Sequence, residues 1–207
     1  MNKSAHFWDK IAPKYAKQPV GDPEAYERKL AQTQEYLHAD MDILELACGT
    51  GTTALRHAPF VHHVLAIDLS QAMVGIAQGK AEKANIENVT FKQSSIEDLN
   101  EPDARFDMIM AHSILHLVDD RQNVLRETYR MLKPGGYFVS STVCIVGLMR
   151  LLGLVLPIGA ALGLLPKVNF IAPPVLLAEM QNAGFSIMRH WQPTSGPAMF
   201  IIAQKPL

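Results

Sequence analysis

At 207 residues the chain is long enough for one sizeable core, and its 48% hydrophobic and 19% charged content is that of an ordinary globular protein. A formal net charge of −1 leaves no basic field to gather nucleic acid, so nucleic acid is not an expected partner. Cys48 and Cys144 have apolar neighbours and form no CxxC pair, and the first ten residues lack the apolar run of a secretory leader. Both features read as a cytoplasmic protein with reduced core thiols.

Residues 4–17 predict an amphipathic helix with Phe7, Trp8, Ile11, Ala12 and Tyr15 on one side. Pro19, Gly21 and Pro23 break it, and a second helix over 23–38 carries Tyr26, Leu30, Thr33 and Leu37 at helical spacing. Together they form an N-terminal helical cap over residues 1–40. A strand over 42–47 follows, then a helix over 52–58, a strand over 61–67 ending at Asp68, and a helix over 71–84 with Ser70 as its N-cap. Short strand 89–92 precedes 106–111, a continuous apolar run suited to burial on both faces. Residues 119–132 predict a helix, stopped by Lys133-Pro134-Gly135-Gly136, and 137–142 a fifth strand. After Pro173-Pro174 a helix runs to Ala183 and stops at Gly184; strands over 185–191 and 198–204 close the chain as a hairpin.

Strand and helix alternate through residue 142, which predicts an α/β fold in one domain spanning 1–207: a doubly wound, mostly parallel seven-stranded sheet with a C-terminal antiparallel hairpin. One stretch departs from the alternation. Residues 143–166 are strongly apolar and long enough to raise a transmembrane reading, but Arg150, Pro157, four glycines and a position between two elements of one sheet argue against a span. We read 143–172 as a hydrophobic insert or lid over a substrate pocket, ahead of a homodimer face and a membrane-surface patch. A lid of this kind suits a small, apolar acceptor.

The chemistry centres on Glu45-Leu46-Ala47-Cys48-Gly49-Thr50-Gly51. A buried strand here turns into a helix through two glycines, which let backbone amides approach a ligand closely. Gly49-Thr50-Gly51-Thr52-Thr53-Ala54 satisfies the dinucleotide pattern G-x-G-x-x-G/A, with Asp68 about 20 residues on as the ribose acid. Taken alone, this leaves NAD(P) and other adenosine cofactors open, and capping of the next helix stands behind ribose binding as the lesser role for Asp68.

Further segments narrow the choice. The Glu45–Gly51 stretch resembles the first motif of the class I S-adenosylmethionine-dependent methyltransferases, of the small type that acts in ubiquinone and menaquinone synthesis. Asp68-Leu69-Ser70 with Ala72-Met73, Phe106-Asp107-Met108-Ile109, Leu115-His116-Leu117-Val118-Asp119 and Leu132-Lys133-Pro134-Gly135-Gly136 resemble later family segments in family order. Phe7-Trp8-Asp9 through Ala12 and Tyr15 resembles the lead-in of many small members, and Ala183-Gly184-Phe185 the closing segment. The resemblance implies a Rossmann-like fold, S-adenosyl-L-methionine as cofactor and transfer of its methyl group. It implies cofactor contacts at Tyr15, Glu45, Ala47, Cys48, Gly49, Gly51, Asp68, Leu69, Met73, Ser95, Ile96 and His112. Glu45 would face the cationic amino acid end, Asp68 the ribose hydroxyls, and Leu69 and Met73 the adenine faces, although Met73 also suits plain core. Ala47 stands where the family often has glycine, and Ser95 where many members have Asp.

His112 and His116 follow the fourth strand and are the candidate general bases, with cofactor orientation and helix packing as the competing accounts. No metal constellation is expected. The alternatives to methyl transfer are an NAD(P)-dependent oxidoreductase and a non-catalytic cofactor-binding protein.

Overall fold

The computed structural model describes residues 3–144, 168–194 and 196–207. The apolar insert read over 143–166 lies, apart from its first two residues, outside the described residues. Helices α1 (Lys3–Tyr15) and α2 (Pro23–Gln34) precede the sheet. Then come β1 (Asp42–Leu46), α3 (Thr52–His57), a 3-10 turn at Ala58–Phe60, β2 (His63–Asp68), α4 (Gln71–Ala84), β3 (Val89–Gln93) and β4 (Phe106–His112). The chain continues through α5 (Arg121–Met131), β5 (Leu132–Val143), α6 (Pro173–Asn182), β6 (Ser186–Trp191) and β7 (Ala198–Gln204).

The sheet order is β3-β2-β1-β4-β5-β7-β6. Strands β1 to β5 run parallel, and β7 pairs antiparallel with both β5 and β6, so the expected hairpin closes one edge. The order reverses between β1 and β4. A reversal of this kind opens a crevice at the strands' carboxyl ends, because the flanking helices leave towards opposite faces.

Both faces are buried, as the apolar runs require. Leu44, Leu46, Ile109 and Phe138 point to one side with Leu125 of α5 and Leu176 of α6. Ile43, Ala66, Met108, Met110 and Val139 point to the other with Val74, Ala77 and Ala81 of α4. Glu45 lies between Leu44 and Leu46 on the pleat, so it falls on the α4 side, as do His112 and Ser141, which pair across β4 and β5. Strand pleating thus carries three polar residues to one face at the crevice.

Several boundaries differ from the sequence expectation. α2 stops at Gln34 instead of residue 38, because Tyr36 N–H and Leu37 N–H turn back to the carbonyls of Thr33 and Gln34 in a tighter winding. β2 starts at His63 instead of 61: the amides of His62 and His63 both reach the Met41 carbonyl, and the Asn88 side chain holds the carbonyls of Ala58 and Val61. α5 is capped by Asp120, whose carboxylate accepts the Asn123 N–H at 2.9 Å, so it begins two residues later than expected. Leu132 is already extended, and β5 takes in the Lys133–Gly136 turn with a register irregularity opposite Phe106–Met108. There Lys133 Nζ holds both carboxylate oxygens of Asp107 at 2.8 Å.

Helix α1 lies against α4. Asp9 accepts the Ser70 hydroxyl at 2.6 Å and the Ala72 N–H at 3.0 Å, while Ser70 itself caps α4 through Met73 N–H at 3.1 Å. These two bonds lower the Asp9 carboxyl below its ordinary value. An ionised Asp9 at the positive end of α4 pins the N-terminal cap over the crevice.

Candidate active site

Strand β1 ends at Leu46, and the next five residues wind with Ala47 at φ 54°, Gly49 at 55° and Gly51 at 74°. Only glycine adopts this region freely, which accounts for the two glycines and makes Ala47 a strained position. Gly51 is also locked by packing. A Cβ there would stand 2.7 Å from the Ala77 Cβ and from the Phe91 ring. Gly51 therefore supports the loop from beneath and lines neither neighbouring cavity.

The loop is held from β2. Gly49 N–H donates to Asp68 Oδ2 and Ser70 N–H to Asp68 Oδ1, both at 2.8 Å. An ionised carboxylate has about four lone-pair sites, so acceptor capacity remains for a ligand's hydroxyl beside the backbone amides it holds. The helix-capping alternative for Asp68 is replaced by this bridging role, since Ser70 supplies the cap. Burial raises the Asp68 carboxyl above its usual range, against the lowering by the Ser70 and Gly49 amides.

Two cavities flank the loop and share Tyr15, Ala47 and Gly49 as walls. The smaller, about 300 Å³, is lined by Asp68, Leu69, Met73, Ser95, Ile96 and Trp8 among others. Apolar and aromatic side chains line it together with serines and the carboxylates of Asp68, Glu97 and Asp119, a mixture that suits a nucleoside. Ser95 is occupied locally: its hydroxyl donates to Asp98 Oδ2 at 2.7 Å and accepts the Asp98 N–H at 3.0 Å.

The larger cavity, about 580 Å³, opens on the other side beneath α2 and α3. Its walls include Glu45, Cys48, His112, Lys29, His57 and Ser141. Glu45 is 2% exposed, and its Oε2 has no hydrogen-bond partner among the described residues. Burial pushes its carboxyl up to about 8, against the lowering effect of the Ala54 amide. A buried carboxyl with an orphaned oxygen facing a cavity is ready for a cationic ligand group. Burial holds the Cys48 thiol well above its ordinary range, so it is a packing residue and no nucleophile.

Burial, joined by the nearby charges of His57 and Lys29, depresses His112 to about 3. His57 itself is fully buried, with both ring nitrogens unpartnered among the described residues, and burial lowers it to about 4. Both rings are neutral at pH 7 and can accept hydrogen bonds from whatever enters. Ser113, next to His112, is at φ 56°, fixed by its N–H to the Ser141 carbonyl at 2.6 Å. His116 does not join this group. It is 8% exposed, lines neither cavity, and its carbonyl accepts the Asn169 N–H at 2.7 Å. The turn after Ser113 carries it to the α5 side of the sheet, as its place between Leu115 and Val118 of that core shows.

Sequence reasoning did not single out Lys29, His57 or Ser141. Lys29 and Ser141 are 112 residues apart and meet only because α2 lies across the end of β5. His57 carried a faint signal, as a histidine on the inward side of the helix that follows the glycine loop.

A family model of the methyltransferase domain matches residues 37–166. The chain belongs to this methyltransferase family. The match contains β1 and its glycine loop, Asp68 and His112, whereas the α2 side of the larger cavity, Lys29 included, lies before it. This methyltransferase-family chain is 35% identical over 101 residues to the uncharacterized methyltransferase YcgJ of Bacillus subtilis, covering 49% of the chain and 40% of the relative. Against the ubiquinone biosynthesis O-methyltransferase of Acinetobacter baumannii it is 27% identical over 157 residues, covering 72% and 65%. The matched region thus spans less than two thirds of either relative.

Among solved structures, YcgJ superposes with a TM-score of 0.73 at 19% identity over 87% of this chain and 99% of that one. The [4+2]-cyclase SpnF superposes at 0.78 and 20% identity over 99% and 95%. The Rossmann-like methyltransferase fold is therefore shared, and in SpnF it is the fold of a cyclase. A neighbour from Methanosarcina mazei at TM-score 0.68 and 20% identity, covering 85% and 97%, is a SAM-dependent methyltransferase. The cofactor that family and fold imply is S-adenosylmethionine. The residues present suit it: a slot for adenine, spare acceptors on Asp68 for ribose, and an orphaned Glu45 oxygen for an ammonium.

Proposed function

We propose that this chain methylates a small acceptor held in the larger cavity, with S-adenosylmethionine spanning the shared wall. The observation that carries this reading is the meeting of two chemically different cavities at Tyr15, Ala47 and Gly49, with Asp68 lining one and Glu45, whose Oε2 is unpartnered among the described residues, lining the other. When bound, the cofactor supplies a methyl group made electrophilic by its sulfonium. Leu69, Met73 and Ile96 enclose the adenine, Asp68 takes the ribose hydroxyls, and Glu45 takes the ammonium.

The acceptor's nucleophilic atom bonds the methyl carbon as the sulfur–methyl bond breaks, leaving S-adenosylhomocysteine. Any proton the nucleophile carries passes to His112 or to solvent. The low basicity of His112 makes it an orienting hydrogen-bond acceptor first, so rate comes mainly from alignment and exclusion of water. His116, which lines neither cavity, has no part in this assignment. The apolar 143–166 stretch of the sequence supports an acceptor with a hydrophobic body, with a homodimer through that stretch as the alternative use. Among the described residues no helix is long and apolar enough to cross a membrane.

Calorimetry tests the reading. S-adenosylhomocysteine should bind with micromolar affinity and NAD(P) not at all. Tight NAD(P) binding without S-adenosylhomocysteine binding would replace methyl transfer by hydride transfer.

A further inference from the structure

The described walls of the larger cavity include a cation that comes from α2 and not from the glycine loop. Lys29 of α2 is half-buried and points its Nζ at the Ser141 hydroxyl, 3.0 Å away. Among the described residues no carboxylate lies within ion-pair distance of it; Asp22 acts on it from farther off. Burial lowers the Lys29 ammonium below its ordinary value, as expected for a cation withdrawn from water without a close anion. Burying such a group is costly unless something in its working state compensates.

The sheet says on which side of the site this cation stands. Along the carboxyl edge the order is Asp68 on β2, Glu45 on β1, His112 on β4 and Ser141 on β5. Neighbouring strands are about 4.8 Å apart, which puts the β5 position about 10 Å from β1 and about 14 Å from β2. A cofactor with its ribose on Asp68 and its ammonium on Glu45 is used up by β1. Ser141 pairs in register with His112, one strand farther on. Lys29 and Ser141 therefore lie beyond the cofactor, on the acceptor's side.

We propose that the acceptor is a small organic acid whose carboxylate is seated on the Lys29 ammonium and the Ser141 hydroxyl, which holds its nucleophilic atom about one strand spacing away beside His112. This rests on the methyl-transfer reading. The acid explains why a lysine with Asp22 only at a distance lines the cavity beside His57 and His112, which are uncharged at pH 7. It also offsets the Lys29 field that weakens His112 as a hydrogen-bond acceptor.

The experiment is calorimetric titration of the full chain, with and without saturating S-adenosylhomocysteine, using 2-, 3- and 4-hydroxybenzoate and the matching hydroxybenzamides. At least one acid should bind tenfold or more tighter than its amide, the size expected of hydrogen bonds to a charged group. Lys29→Met should reduce that preference below threefold, Lys29→Arg should keep it, and both should bind S-adenosylhomocysteine within twofold of wild type. Equal affinity for acid and amide, or no binding of any acid, overturns the proposal. A tenfold loss of S-adenosylhomocysteine binding in Lys29→Met also overturns it, by moving Lys29 to the cofactor. Failure of wild type to bind S-adenosylhomocysteine is a separate result and sinks the methyl-transfer reading instead.

Discussion

Replacing Asp68 by Asn tests the ribose assignment with little change in volume. The carboxylate carries two jobs at once. Its oxygens accept Gly49 N–H and Ser70 N–H at 2.8 Å each, and its remaining lone pairs face the smaller cavity. An amide keeps one acceptor oxygen, so it can satisfy one of the two backbone donors and loses the charge that strengthens every bond made to it. Hydrogen bonds to a charged group contribute about 1.5–3 kcal/mol each. If one ribose hydroxyl loses such a bond, S-adenosylhomocysteine affinity falls by about 10- to 150-fold, since 1.4 kcal/mol is a factor of ten. The loop bond acts on stability: an unsatisfied amide costs about 1–3 kcal/mol. Calorimetry gives the affinity, and urea unfolding without ligand gives the stability. Wild-type affinity in Asp68→Asn would refute the ribose role. Lost stability with unchanged affinity would confine Asp68 to holding the loop.

Three further outcomes follow from the same geometry. Gly51→Ala forces a side chain into φ 74° and places its Cβ 2.7 Å from Ala77 and Phe91, so strain and overpacking together should cost about 3 kcal/mol in urea unfolding. Ala47→Gly relieves a residue at φ 54°; strain relief of 1–2 kcal/mol less the entropy of glycine should leave about 0.5–1 kcal/mol of added stability. Glu45 gives a pH signature. Its folded carboxyl is raised from 4.5 to about 8, so the ligand-free folded state holds a proton that the unfolded chain has lost, and stability should fall as pH rises through that window. Glu45→Gln should flatten the fall. In wild type, S-adenosylhomocysteine should bind with proton release and more tightly at pH 8 than at pH 6, measured in buffers of different ionisation enthalpy; binding without proton release would separate Glu45 from the ammonium.

The local parts of the site were legible in the chain itself. Glycines at two left-handed positions, an acid ending the next strand and Ser70 capping α4 are each dictated by nearby backbone, so residue type and spacing reveal them. The parallel order and the closing hairpin followed from the alternation of apolar runs and stop signals. Element ends were less legible where side chains from elsewhere set them, as Asn88 does at the start of β2.

The acceptor side was decided by tertiary structure. Pleating and register put Glu45, His112 and Ser141 on one face, and the docking of α2 brings Lys29 to Ser141 across 112 residues. The same chain turn that leaves His112 in the cavity buries His116 on the opposite side of the sheet, although only three residues separate them and both looked equally suited to proton transfer. A loop that binds a cofactor is written in adjacent residues because backbone amides do the binding. A pocket for an acceptor is assembled from side chains on separate elements, and only the packed fold says which of them meet.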